Sequence, residues 1–202
     1  MESMNEVAII DSGGANIASL LCAFKRLQTK AILTTDANVI QSADRVLLPG
    51  VGAARDAMNR LTNAGLVEVI RNLTQPVLGI CLGMQLLCER SEEEDIECLG
   101  IIPGTVNKLP SSTSDPVPNM GWCATEVVSD HRILQDIRDR SYFYYIHSYA
   151  LPVSEYTIAT AIHSEPFSAV ISKDNFVAAQ FHPERSSVAG SVLLANFLSD
   201  KQ

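Results

Sequence analysis

At 202 residues, with 47% hydrophobic and 19% charged side chains, the chain can bury a sizeable core and predicts one domain over 1–202. Its net charge of −8, with Lys and Arg scattered, excludes a non-specific nucleic-acid binder and favours small-molecule or protein partners. No apolar run approaches the roughly 18 residues of a membrane span, residues 1–6 lack a signal peptide's apolar segment, and five cysteines without a C-x-x-C pair predict reduced thiols in the cytoplasm, not a disulfide framework or a zinc site.

Val7-Ala8-Ile9-Ile10 is apolar throughout and stops at Asp11-Ser12-Gly13-Gly14, as a buried strand before a turn does. Asn16 is placed to cap a helix over 17–27, with Ile17, Leu20, Leu21, Phe24 and Leu27 on its apolar face. Strands follow over 31–34 and 46–48, the second running into Pro49-Gly50-Val51-Gly52. Helices are predicted over 54–61 and 67–73, then a fourth strand over 76–80. Strands that are nearly all apolar and alternate with helices predict a parallel sheet covered on both faces. After the acidic run 91–95 the pattern changes. A short strand over 105–108 and a polar loop over 110–116 precede strands over 124–128, 142–146, 156–161, 169–172 and 177–181. Their close spacing predicts an antiparallel extension of the sheet. A last helix over 187–198 turns Val188, Val192, Leu194, Ala195 and Leu198 toward the core.

Gly79-Ile80-Cys81-Leu82-Gly83 joins the fourth strand to a helical stretch over 82–88. This is the cysteine form of a nucleophile elbow, in which a strained turn lifts a nucleophile above a sheet and the following helix dipole favours thiolate. The ordinary alternative is a buried core cysteine. A nucleophile needs a base, an orienter for that base and donors for the oxyanion. Of four histidines, His131 lies in a polar turn and reads as solvated, His163 is loop-like, and His147, after an aromatic strand, is a second base candidate. His182 is the best base. It ends a strand, and alternation puts Glu184 on its side of an extended segment, where the carboxylate can fix the ring's tautomer. Oxyanion donors are the backbone N–H of Leu82 and the Gly50-Val51-Gly52 stretch, unless the latter is only a tight strand–helix turn.

Pro49-Gly50-Val51-Gly52, Gly79–Gln85 and Gln180-Phe181-His182-Pro183-Glu184, in this order, resemble the class I (triad) glutamine amidotransferases over nearly the whole chain. Pro118-Asn119-Met120-Gly121-Trp122 and Tyr145-Ile146-His147-Ser148-Tyr149, with no fused synthase domain, resemble more narrowly the glutaminase subunits of imidazole glycerol phosphate synthase. The resemblance implies a three-layer α/β sandwich with a mostly parallel central sheet. It implies a Cys81–His182–Glu184 triad and an oxyanion hole at Val51, Gly52 and Leu82. Gly50, Gln85, Glu93, Ser148 and Tyr149 would bind substrate, Glu93 pairing with the glutamine α-ammonium unless its acidic run is merely a solvated face. Asn119, Met120 and Trp122 would meet the partner. No cofactor or metal is implied. Glutamine would be hydrolysed through a thioester, and ammonia would pass to a separate (β/α)₈-barrel cyclase making imidazole glycerol phosphate and aminoimidazole carboxamide ribotide in histidine biosynthesis. The chain departs from the family's Pro-His-Met-Gly-Trp-Asn at Asn119 and Cys123, which bears on subunit contact and leaves the triad intact. Other readings stay open: a glutaminase subunit for anthranilate, aminodeoxychorismate or pyridoxal phosphate synthesis, a silent regulatory subunit, or a free-standing cysteine hydrolase.

Overall fold

The computed structural model describes residues 6–13 and 16–199. Its first half repeats strand–helix units: β1 (Glu6–Ile10), α1 (Ile17–Arg26), β2 (Lys30–Thr34), α2 (Ala37–Ser42), β3 (Arg45–Gly50), α3 (Ala54–Asn63), α4 (Val67–Arg71), β4 (Val77–Cys81) and α5 (Leu82–Leu87). Ordered β2-β1-β3-β4, these strands are parallel. Alternation explains why they are so apolar. Val7, Ile9, Leu47, Leu78 and Ile80 face one core, and Ala8, Ile10, Val46, Leu48 and Val77 face the other. The edge strand β2 departs from this, with Lys30 and Leu33 exposed.

Two helix starts differ from what the sequence suggests. The connection at 37–42 is a helix, α2, because Asp36 Oδ1 accepts the Asn38 N–H at 2.8 Å and caps it. Asn16 makes no such bond on α1, whose buried residues are Leu20, Ala23 and Phe24 while Leu21 lies exposed.

The remaining elements are β5 (Cys88–Ser91), β6 (Ile96–Glu97), β7 (Ile102–Lys108), β8 (Asn119–Val127), β9 (Ser141–His147), β10 (Tyr149–Ala150), β11 (Thr157–His163), β12 (Glu165–Lys173), β13 (Phe176–Ala179) and α6 (Ser187–Ser199). The large sheet runs β2-β1-β3-β4-β13-β12-β11-β8-β9. β13 lies parallel beside β4, and the pairings beyond it are antiparallel, as the spacing predicts. A second sheet, β10-β7-β5-β6, is unexpected. β7 contains the strand predicted over 105–108, but β5 and β6 are too short and too polar to show a period. The acidic run 91–95 closes its hairpin: Arg90 pairs with Asp95, and Glu92 Oε2 accepts the Lys108 N–H at 2.7 Å.

Helix α6 buries Gly190, Leu193, Leu194, Phe197 and Leu198, a stripe rotated from the valine face that the sequence suggests. Gly190 sets that rotation, since a Cβ there would lie 2.0 Å from the Pro183 carbonyl oxygen. Val188 is left 74% exposed. A tighter contact sits at the elbow, where a Cβ on Gly83 would lie 1.7 Å from the Leu48 carbonyl oxygen. Backbone meets helix there, so no side chain can move aside. Gly83→Ala is expected to cost about 3 kcal/mol or more in denaturant unfolding, and Val188→Ala no more than about 0.5 kcal/mol. Equal costs would refute this account of the packing.

Candidate active site

Cys81 closes β4 at φ 52° and ψ −109°, a backbone conformation that L-residues rarely adopt. Pairing holds it there: Gly50 of β3 is the register partner of Cys81, and β13 flanks Ile80 on the other side. α5 starts at once with Leu82 and is only six residues long, ending before Cys88, so its dipole is short. The thiol is 5% exposed; its Sγ lies 3.7 Å from the Ile146 carbonyl oxygen and 3.8 Å from Gln180 Nε2.

β13 ends at Ala179, and His182 follows at the start of a 3-10 turn over Pro183–Arg185, not an extended segment. Pro183 supplies a helical φ at the turn's first position. The turn still brings the pair together: His182 Nδ1 lies 2.9 Å from Glu184 Oε1. β9 hooks this turn in place. The His182 N–H donates to the Tyr144 carbonyl at 2.9 Å, and the Tyr144 N–H donates to Ser186 Oγ, also at 2.9 Å. Ser186 Oγ in turn donates to the His182 carbonyl at 2.7 Å. Burial alone would lower the His182 pKa, but the Cys81 thiol and the Glu184 carboxylate outweigh it and push the imidazole up to about 10. With Nδ1 committed to Glu184, the interaction with Cys81 falls to Nε2, which has no hydrogen bond of good geometry.

A cavity of about 270 Å³ opens over the thiol, the scale of a small metabolite. Val51, Gly52, Leu82, Gln85, Glu93, Ser148 and Tyr149 line it with Cys81, so the structure brings these predicted residues together. Gly50 does not: it is buried in β3, against Leu82. Gly52 has φ +95° and Val51 is 36% exposed. Glu93 is no solvated acid, since its Oε2 accepts the Ala54 N–H at the start of α3 at 3.0 Å. The Ser148 and Tyr149 carbonyls are taken by Leu109 N–H and Gln85 Nε2, both at 2.9 Å.

Asn119 and Cys123 turn inward from β8: Asn119 is 3% exposed, and the Cys123 thiol donates to Asn119 Oδ1 at 3.5 Å. Met120 and Trp122 alternate outward at 61% and 51% exposure. His147 is no base, because both ring nitrogens are bonded, to Tyr149 O at 2.9 Å and Asn119 Nδ2 at 3.1 Å. His131 is not a solvated side chain: it accepts the Ile133 N–H at 3.2 Å and lies 3.1 Å from Ser172 Oγ. His163 Nε2 bonds the Pro116 carbonyl at 2.9 Å. Gln180 and Ile146, both touching Sγ, went unassigned from sequence. Gln180 is two residues before His182, and that offset is the one local sign of it.

The comparisons agree with this geometry. A family model described as "Glutamine amidotransferase class-I" matches residues 8–201. The chain is 49% identical over 193 residues to imidazole glycerol phosphate synthase subunit HisH 2 of Legionella pneumophila strain Lens, covering 96% of this chain and 97% of that one. It is 46% identical over 197 residues to the HisH subunit of Pasteurella multocida, covering 98% and 99%. Among solved structures, a glutamine amidotransferase superposes with TM-score 0.73 at 16% identity, covering 95% of this chain and 96% of that one. PurLQS from Thermotoga maritima superposes with TM-score 0.72 at 13% identity, covering 97% and 98%. These two likenesses bear on the fold, an α/β sheet with helices on its faces, and the closer relatives bear on the family. The chain belongs to the class-I glutamine amidotransferases and, within them, to the HisH subunits of imidazole glycerol phosphate synthase.

Proposed function

We propose that Cys81, His182 and Glu184 hydrolyse glutamine to glutamate and ammonia in the cavity over the elbow. The observation that carries this is one buried thiol, on a strained turn, beside an imidazole whose other nitrogen is fixed by a carboxylate. His182 Nε2 takes the thiol proton, and the sulfur attacks the side-chain amide carbon of glutamine. The oxyanion receives backbone N–H groups from Leu82 and from the Val51–Gly52 segment. His182 returns the proton to the leaving nitrogen, which departs as ammonia. Water then attacks the thioester with His182 again as base, releasing glutamate and the thiol. Gln85, Glu93 and the N–H side of Ser148 and Tyr149 hold the amino-acid end. Water and glutamine suffice as reactants, and the reduced thiols suit a cytoplasmic enzyme.

The ammonia passes to a separate (β/α)₈-barrel cyclase subunit that makes imidazole glycerol phosphate and aminoimidazole carboxamide ribotide in histidine biosynthesis. Met120 and Trp122 on the outer face of β8 meet that subunit, where exposed Trp and Met are the residue types that interfaces favour. Ammonia released without an acceptor is wasted, so basal turnover is held low and the Val51–Gly52 amides turn to the oxyanion in the active complex.

Glu184→Gln removes one of the two groups that hold the His182 pKa up while burial still pushes it down. The imidazolium then loses its proton at lower pH. The alkaline limb of kcat/KM for glutamine is expected to move acidward, with a loss of about a hundredfold or more in kcat; an unmoved limb would refute Glu184 as orienter. Trp122→Ala is expected to weaken cyclase binding by about tenfold or more, with ammonia release from the isolated chain unchanged. Unaltered binding in a titration with the cyclase would remove Trp122 from the interface.

A further inference from the structure

The β8–β9 ribbon has two faces. Asn119 and His147 are register partners on the inner one, 3% and 6% exposed. The Asn119 amide has its oxygen end on the Cys123 thiol at 3.5 Å, so its nitrogen end is the one that meets His147 Nε2 at 3.1 Å. An amide NH₂ only donates. His147 Nε2 therefore accepts, and the ring proton sits on Nδ1, which donates to the Tyr149 carbonyl at 2.9 Å. Gln85 Nε2 fills the other lone pair of that oxygen at 2.9 Å and reaches Gln180 Oε1 at 3.2 Å. Gln180 Nε2 then lies 3.8 Å from Cys81 Sγ. One bonded path thus joins Cys123, at the ribbon, to the thiol at the cavity floor.

We propose that Asn119 and His147 are positioning residues of the glutamine site: the Asn119 amide holds His147 as its neutral Nδ1–H tautomer, and that N–H fixes the Tyr149 carbonyl that orients Gln85 and, through it, Gln180. The inference rests on Gln85 and Cys81 serving glutamine as set out above. Burial agrees with it, pushing the His147 pKa down to about 4, the chief opposing influence being the bond to the Tyr149 backbone. An imidazolium would put an N–H against the Asn119 N–H. The consequence for the site is the direction of the Gln85 amide. With its nitrogen held by two acceptors, its oxygen is the end left for the cavity, where it can accept from a substrate ammonium or amide. Nothing in this path touches the reacting atoms except Gln180 at the sulfur, so its influence on turnover is indirect.

Side chains that mimic one imidazole nitrogen at a time test this. His147→Asn keeps an N–H near the Nδ1 position, His147→Gln keeps one only near Nε2, and His147→Phe keeps neither. Ammonia release is measured on the assembled complex, with unfolding midpoints recorded for each variant. The Phe and Gln variants are expected to raise the glutamine KM about tenfold, the worth of one lost hydrogen bond, with kcat changed less. The Asn variant is expected to return KM to within about threefold of the parent. The ¹⁵N NMR spectrum of histidine-labelled parent protein is expected to show His147 as a neutral Nδ1–H ring from pH 6 to 8. An Nε2–H or charged ring, or equal KM values in all three variants, would overturn the positioning role alone. Absence of ammonia release from the parent complex would overturn the proposed function, and the positioning role with it. If the Phe variant does not fold, the Asn and Gln variants and the spectrum still decide.

Discussion

Everything in the site hangs on holding Cys81 at φ 52°. Strain of this kind costs about 1–3 kcal/mol and persists only where the surroundings over-determine it. Here they do so from three sides. β3 and β13 pair with β4 along the same stretch, so the cysteine cannot slide or twist without breaking a ladder. α5 presses on β3 so closely that only a glycine fits at 83. The apolar strands of the first half therefore do more than fill a core. Burying both faces makes the central sheet rigid, and rigidity is what keeps a thiol aimed at a cavity rather than relaxed into the sheet.

β9 plays the corresponding part for the other half of the chemistry. Its backbone holds the His182 turn through Tyr144, and its Ile146 carbonyl takes the thiol. Its inner side chains, Phe143, Tyr145 and His147, pack under the site, with Phe143 stacked on Phe181 at 3.9 Å between ring centroids. Its outer face lies beside the exposed Met120 and Trp122, with Trp122 edge-on to Tyr144 at 6.1 Å and the Arg185 guanidinium 4.3 Å from the Tyr144 ring centre. β9 thus touches Cys81, the turn carrying His182 and the strand with Met120 and Trp122, although Cys81, Tyr144 and His182 are far apart in sequence.

How much of this was legible follows from what each feature depends on. The parallel half was legible because a strand buried on both faces must be apolar throughout. The gathering of Cys81, His182 and Glu184 was legible because an elbow and a strand-end His with a carboxylate two residues on are local patterns. The small sheet escaped, since β5 and β6 are too short to carry a period and their polar residues pair with one another. The rotation of α6 escaped as well: Val188 looks like core until Gly190 meets the Pro183 carbonyl, a contact with no local signature. Asn119 and Cys123 were read as surface departures for a partner. Only the ribbon's alternation, fixed by pairing with β9, shows that they face inward and satisfy each other.

Cys81 and His182 lie side by side without a good hydrogen bond between them. His182 sits in surroundings that favour its charged form, since Cys81 and Glu184 together outweigh burial. Yet the thiol donates to the Ile146 carbonyl, and His182 Nε2 is left without a bond of good geometry. The sulfur is held instead by an acceptor on another strand, within a packed pocket. The acceptor that holds it back belongs to β9, which pairs residue for residue with the strand carrying Met120 and Trp122. Through β9, the Ile146 carbonyl at the thiol and the exposed face with Met120 and Trp122 are one strand pair apart.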